Sequence, residues 1–154
     1  MNSFITIKVV STEVITAKTA REKGYRTNDC PDDLNGYEVF YEDGYKSWCP
    51  ISTFLDNAID LRSEEDYKVK CPIWAPDYLK RMFEEFDELK NKFIKLKTFV
   101  TGDRFNELDE VQQHYLRLQY NFMTGYLNVL GHRIEHEYNI NQPCDTIEDC
   151  CGAM

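Results

Sequence analysis

The stretch GYEVFYEDGYKSWCP, Gly36 to Pro50, carries five aromatic residues around a central Glu42-Asp43-Gly44. Asp-Gly between two runs of alternating character is the strongest short-range signal for a β-hairpin, because glycine accepts the positive φ that tight hairpin turns require. On such a hairpin Tyr37, Val39 and Tyr41 share one face, while Tyr45 and Trp48 need a covering element. Upstream, FITIKVVSTEVITA from Phe4 to Ala17 is rich in Ile, Val and Thr and reads as a further strand. Between them Lys18 to Asn35 is polar, with Gly24, Pro31 and Asn35-Gly36, and reads as a long connection holding at most one helical turn. Downstream, Pro50 suits the start of a helix, where its missing N–H costs nothing. Phe54, Leu55, Ala58 and Ile59 then form an apolar face that covers a three-stranded antiparallel sheet.

A different periodicity takes over beyond Pro76. Leu79, Met82, Phe86, Leu89, Phe93, Leu96 and Val100 alternate at three and four residues, the seam of one long helix. Thr101-Gly102 ends it, with Gly102 expected in the left-handed position and Asn106, before Glu107 and Asp109, expected as the next cap. Leu108, Val111, Tyr115, Leu118, Phe122, Gly125 and Val129 repeat the spacing on a second helix, so a short loop makes an antiparallel helical hairpin. The second helix also bears a spare stripe: Leu116, Tyr120, Met123, Leu127, Leu130 and Ile134. Burying each such side chain is worth roughly 1.5 to 3 kcal/mol, which favours oligomerisation through helix 107–139 over leaving the stripe in water. Packing of that stripe on the N-terminal sheet is the alternative.

The expected fold class is therefore α+β: a small antiparallel sheet with a covering helix in 1–62, a charged linker over 63–75, the hairpin over 76–139, and an irregular cysteine-containing tail over 140–154. A formal charge of −9 argues against a DNA- or RNA-polymer binder that gains affinity by neutralising phosphates. The N-terminus MNSFITIKVV lacks the pattern of a signal peptide, and no segment has the roughly 18 apolar residues of a membrane helix. The expected location is cytoplasmic. The six cysteines, Cys30, Cys49, Cys71, Cys144, Cys150 and Cys151, contain no Cys-x-x-Cys pair and are expected as thiols.

Catalytic constellations are sparse. His132, Glu135 and His136 fit a His-x-x-Glu-His metallopeptidase spacing, but a catalytic zinc needs a third ligand on another rigid element. Two histidines near a helix C-terminus, where positive charge is favoured, account for the pattern without metal. There is no Gly-x-Ser-x-Gly and no phosphate-cradling glycine loop. No catalytic residue, metal or cofactor is expected. The first helix of the hairpin is acidic at its start (Glu84, Glu85, Asp87, Glu88) and basic at its end (Lys90, Lys92, Lys95, Lys97), which complements its dipole. The same layout sets Phe86 one turn from Lys90, with Arg104 in the loop and Arg117 on the second helix. An aromatic face beside cations is what a purine and a phosphate require. Gln113 and Asn121, each four residues from Arg117, add amides able to read base or ribose edges.

The segment from Ile7 to Ile59, with VVSTEVITAK and GYEVFYEDGYKSWCPISTFLDNAI, resembles a phage-encoded N-terminal module of the pattern Tyr-x-Val-x-Tyr-x-Asp-Gly-Tyr-x-Ser-Trp-Ser-Pro, with Cys49 in place of the last serine. The stretch from PDYLKRMFEEF to YLNVLGHRI is similar to the helical hairpin shared by type-one Thoeris anti-defence proteins and type-two anti-CBASS proteins. That resemblance implies an oligomeric sponge, a dimer or hexamer, that holds a cyclic nucleotide signal (a cyclic ADP-ribose isomer, in some members also cyclic oligonucleotides) without cleaving it, in the cytoplasm of an infected bacterium. Carried over, the aromatic falls on Phe86, the helix-one lysine on Lys90 and the helix-two positions on Gln113 and Arg117. Gln113 stands where the family often has a basic residue. The full expected ligand set is Phe86, Lys90, Arg104, Gln113, Arg117, Tyr120 and Asn121. An oligomeric protein-interaction adaptor and a small zinc hydrolase are the rival readings.

Overall fold

The computed structural model describes residues 2–4 and 6–143. The chain divides between Asp60 and Leu61 into two compact units.

The first unit is a three-stranded antiparallel sheet in the order β1 (Ser11–Thr16), β2 (Asn35–Phe40), β3 (Lys46–Pro50), with α1 (Ala17–Glu22) after β1 and α2 (Ile51–Leu55) after β3. The turn of the quoted stretch closes through Tyr41 and Tyr45, whose N–H···O bond is 3.0 Å, and Gly44 takes φ +83. Register sets Glu38 opposite Trp48 and Val39 opposite Ser47, so Gly36, Glu38, Phe40 and Trp48 share one face and Tyr37 and Val39 the other. Trp48 is therefore covered by α1, through Ala17 and Ala20, and not by the helix after Pro50. Its indole lies over Gly36, where an added Cβ would come within 2.4 Å of the ring. On the opposite face α2 contributes Phe54, edge-on to Tyr37 at 5.2 Å. Tyr45, expected to need a cover, is exposed.

The strand expected over Phe4–Ala17 is only Ser11–Thr16. It ends there because the Thr16 hydroxyl accepts from Thr19 N–H as a helix cap and the Ala17 N–H turns to Leu34 O. The connection of 18–35 thus begins with a true helix, whose two alanines allow the close approach to Trp48. Arg21 then ties the rest of that connection by donating to Thr27 Oγ1 at 2.7 Å, Cys30 O at 3.1 Å and the Asp32 carboxylate. Glu38 is 3% exposed and is balanced by Lys23 and by the Tyr25 hydroxyl, which donates at 2.7 Å. These donors hold its carboxyl below the usual carboxylate range.

The second unit is built on α3 (Asp77–Val100) and α4 (Glu110–Asn141), joined by a 3-10 turn over Asp103–Glu107. Asp109, rather than Asn106, caps α4, accepting from Val111 N and Gln112 N at 3.0 Å each. Gly102 has φ −92 and is not left-handed, because it opens the 3-10 turn instead of closing α3 with an αL residue. The two helices share a core of Leu79, Phe83, Phe86 and Phe93 with Leu127, Leu130 and Ile134, flanked by Tyr120 and Met123.

The inward face of α4 is thus the stripe expected to be spare, whereas the seam expected to pair with α3 faces out. Val111 is 63% exposed, Tyr115 65% and Val129 42%. The two stripes have the same spacing, so periodicity does not decide between them; volume does. Leu, Met and Ile fill the narrow gap against the phenylalanines of α3, where Gly125 and Val129 would leave it underpacked. Residues 63–75, expected as a linker, carry Tyr67, Val69, Trp74 and Ala75 into this core. Arg62 belongs with them: its N–H donates to Asn128 Oδ1 at 2.7 Å and its guanidinium to Glu135 at 2.8 Å. α4 runs on to Asn141, two residues past the expected end of the hairpin. Cys144, Cys150 and Cys151 lie outside the described residues; Cys30, Cys49 and Cys71 are free thiols.

Candidate functional site

At 100° per residue, Gln113, Arg117, Asn121, Thr124, Asn128 and Glu135 make a single polar ridge along α4, between the buried stripe and the outward apolar one. On α3, Lys90 and Lys97 lie seven residues apart on one face, beside Phe93. The two rows look toward the same side of the hairpin, since segment 61–69 touches both: Glu64 pairs with Lys97 at 2.7 Å, and Tyr67 donates to Asn128 Oδ1 at 2.9 Å. Four of the expected ligand residues, Lys90, Gln113, Arg117 and Asn121, therefore fall on one polar flank.

Its loop end is the better organised part. Gln113 is locked by its own helix start, its amide donating to Leu108 O at 2.9 Å, which turns its Oε1 toward Arg117 Nη2 at 3.4 Å. The Arg117 guanidinium lies 5.1 Å from the centre of the Phe105 ring, which is buried and stands edge-on to Phe99 at 6.4 Å. Phe99 itself is half-exposed. A cation oriented by an aromatic face, with an amide beside it, is suited to a phosphate next to a planar ring. Phe99 and Phe105 were not singled out from sequence; two aromatics six residues apart across a loop have no periodic signal, and only the 3-10 turn brings them together. Arg104 is exposed on that turn.

The aromatic residues of the expected set lie deeper. Phe86 is 6% exposed and packs edge-on to Tyr67 at 5.4 Å. Tyr120 stacks on Phe93 at 5.2 Å. That contact fixes the register of the antiparallel pair, levelling Phe86 with Leu127, ten residues from Arg117. At 1.5 Å per residue this is about 15 Å along the axis, so one hairpin does not bring Phe86 and Arg117 to the same small ligand.

The closed end of the flank is a hydrogen-bonded knot. Asn128, 1% exposed, accepts from Arg62 N and Tyr67 Oη and donates to Thr124 O at 2.9 Å. The ring of Tyr67 also meets His132 at 5.8 Å and presses on Gly131. Glu135 is held by Arg62. Two members of the His132-Glu135-His136 motif are thereby engaged in packing this segment. Among the described residues no group of three or more His, Cys, Asp or Glu is placed to hold a metal ion. Nor does any described helix have the length and apolar character to cross a membrane. In the first unit an open groove of about 460 Å³ is lined by Pro31, Asp33, Leu34, Asn35, Ile51 and Ser52, none of which belongs to the expected set.

No curated protein and no solved structure matches the chain. A family model described as Sequestin matches residues 76–136, which begin one residue before α3 and end within the last two turns of α4. The helical hairpin of this chain is similar to that of the Sequestin family, whose members are anti-defence sponge proteins.

Proposed function

We propose that this protein sequesters a cyclic nucleotide immune signal, a cyclic ADP-ribose isomer or a cyclic oligonucleotide, and holds it intact in the cytoplasm of a phage-infected bacterium. The observation that carries the reading is the Sequestin match, because it covers the very helices that bear the polar flank. Arg117, steadied on Phe105 and Gln113, takes a phosphate; Lys90 takes another; Asn121 and Gln113 select base or ribose edges, and Arg104 closes the loop end. Phe86 and Tyr120 act from beneath, holding the shape of the flank.

A single two-helix flank is too open to enclose a dinucleotide-sized ligand, since such sites bury most of the ligand surface. A homo-oligomer supplies the missing wall. The outward stripe, exposed Val111, Tyr115 and Val129 with half-buried Leu118 and Phe122 between them, borders the polar ridge and is the surface on which a second copy docks. Silencing a signal calls for a Kd near nanomolar, about −12 kcal/mol. The cations and amides of the flank suit holding a phosphorylated ligand.

The test is to incubate the protein with cyclic ADP-ribose isomers and cyclic oligonucleotides, remove free ligand, denature it, and identify what is released. Intact ligand supports sequestration, a cleaved product supports an enzyme, and release of nothing from the whole panel rejects the proposal in favour of a protein-binding adaptor. Arg117→Ala should abolish retention while leaving the oligomer size unchanged.

A further inference from the structure

Midway along the polar flank a carboxylate is bonded to one of the two lysines. Glu64 Oε1 lies 2.7 Å from Lys97 Nζ, and its side chain is 12% exposed against 44% for Lys97. The acid is thus the inner partner and the cation the outer one, which is unusual for a surface pair formed only for solubility. The Lys97 hydrogen bond, then the backbone N–H of Glu64 itself and more weakly the charge of Lys90, hold the Glu64 carboxyl below the usual carboxylate range, and Lys97 is pushed above the usual lysine range, first by Glu64 and more weakly by Tyr120 and Glu65.

Glu64 is delivered by a turn that does not depend on it. Ser63 N and Oγ both donate to Asp66 Oδ2 at 2.9 Å, and Asp66 N returns a bond to Ser63 O at 3.0 Å. The flanking residues Arg62 and Tyr67 are anchored separately on Asn128. Swinging the Glu64 side chain outward therefore breaks its bond to Lys97 and leaves the turn and both anchors in place. Beneath it, Lys90 and Lys97 straddle Phe93, whose ring stacks on Tyr120. Two ammonium groups thus stand either side of an aromatic pair, with Glu64 bonded to Lys97 and Glu65 acting on it more weakly.

We propose that Lys97 is a further phosphate-binding residue of the flank, and that Glu64 is its resident counter-charge, displaced when a nucleotide carrying two phosphates binds. This rests on the sequestration reading above. A single phosphate gains little by exchanging one oxygen acid for another at Lys97. A ligand with two phosphates, as a pyrophosphate or two phosphodiesters, engages Lys97 and Lys90 together and also reaches Arg117. Glu64 thereby filters out single-phosphate metabolites.

The test is calorimetric titration of the full-length chain and its variants with a cyclic ADP-ribose isomer, a cyclic dinucleotide and adenosine monophosphate. Lys97→Gln should weaken the cyclic ligand that wild type binds by about tenfold or more, and Lys97→Arg should retain it. Glu64→Gln should tighten the same ligand by about three- to tenfold and give measurable binding of adenosine monophosphate. In the Lys97→Gln background, Glu64→Gln should add nothing. Unchanged affinity of Lys97→Gln, with wild type binding, overturns this inference and leaves sequestration standing; so does a Glu64→Gln variant that keeps its circular dichroism yet binds more weakly. Wild type binding none of the cyclic ligands overturns both. If Lys97→Gln does not fold, Lys97→Arg and Glu64→Gln decide the matter by the same criteria.

Discussion

Gly131 is where the covering segment meets α4 most closely, and replacing it with alanine tests how rigidly that segment is held. An added Cβ would lie 2.4 Å from Tyr67 Cε1, 2.6 Å from Cζ and 2.7 Å from Cδ1. Carbon atoms settle at about 3.5 to 4.0 Å, so the ring must retreat by about 1 Å. It has little freedom to do so: its hydroxyl donates to Asn128 at 2.9 Å, and its faces and edge meet Phe86, His132 and Arg62. Overpacking of this kind costs about 1 to 3 kcal/mol, and loss of the Tyr67–Asn128 bond about 1 more. Alanine returns about 1 kcal/mol through helix propensity. The net expectation is destabilisation by about 1 to 3 kcal/mol, a fall in Tm of about 3 to 10 °C for a chain of this size. Thermal unfolding followed by far-UV circular dichroism measures it, since α3 and α4 dominate the helical signal. In a Tyr67→Ala background the same change should become stabilising, because only the propensity gain remains. Gly131→Ala with undiminished stability in the wild-type background would refute the packing argument.

Acid should act on the first unit through Glu38. Its folded pKa is depressed by Lys23 and then by Tyr25, so the stabilisation is complete above the unfolded glutamate value of about 4.3 and is lost as pH falls through the lower folded value. Urea unfolding between pH 7 and pH 3 should therefore lose more stability in wild type than in Glu38→Gln; equal slopes would contradict the assignment. At the outward stripe, Tyr115→Glu with Val129→Glu should convert the oligomer to monomers by light scattering while preserving helicity, and ligand retention should fall with it. A wild-type monomer, or a variant that assembles normally, would remove this stripe from the interface.

Much of the fold is legible because local signals agree with it. Asp43-Gly44 marks the hairpin turn, Pro50 and Pro76 precede helices, and the three-four spacing identifies α3 and α4. The misses share a cause: each depends on a partner distant in sequence. Ala17 and Ala20 carry no helix signal strong enough to stand out, yet small side chains are what Trp48 admits above them. The two stripes of α4 are equivalent in period and differ only in how their volumes meet the phenylalanines of α3. Tyr67 and Trp74 sit among charges and prolines, so their burial is invisible until Asn128 and Gly131 are seen to receive Tyr67 and Tyr138 to meet Trp74. At the site, the spacing of Gln113 and Arg117 is readable as i, i+4, whereas Phe105 and Glu64 reach their partners only through the turn and the folded-back segment.

The exchange of stripes also changes what an oligomer would do. At 100° per residue, Leu116, Met123 and Leu127 on the one hand and Tyr115, Phe122 and Val129 on the other lie equally far around the helix from Arg117 and Asn121, so the stripes differ only in which edge of the ridge they border. With those residues turned into the core, the outward stripe and the buried one flank the polar ridge on either side. A copy packed on Tyr115, Phe122 and Val129 then abuts the ridge along its open edge, while Glu64 and Tyr67 bound its other edge. On the proposed reading, assembly and ligand binding should be separable in one direction only: Arg117→Ala should lower ligand retention and spare the oligomer, whereas charges on the stripe should lower both.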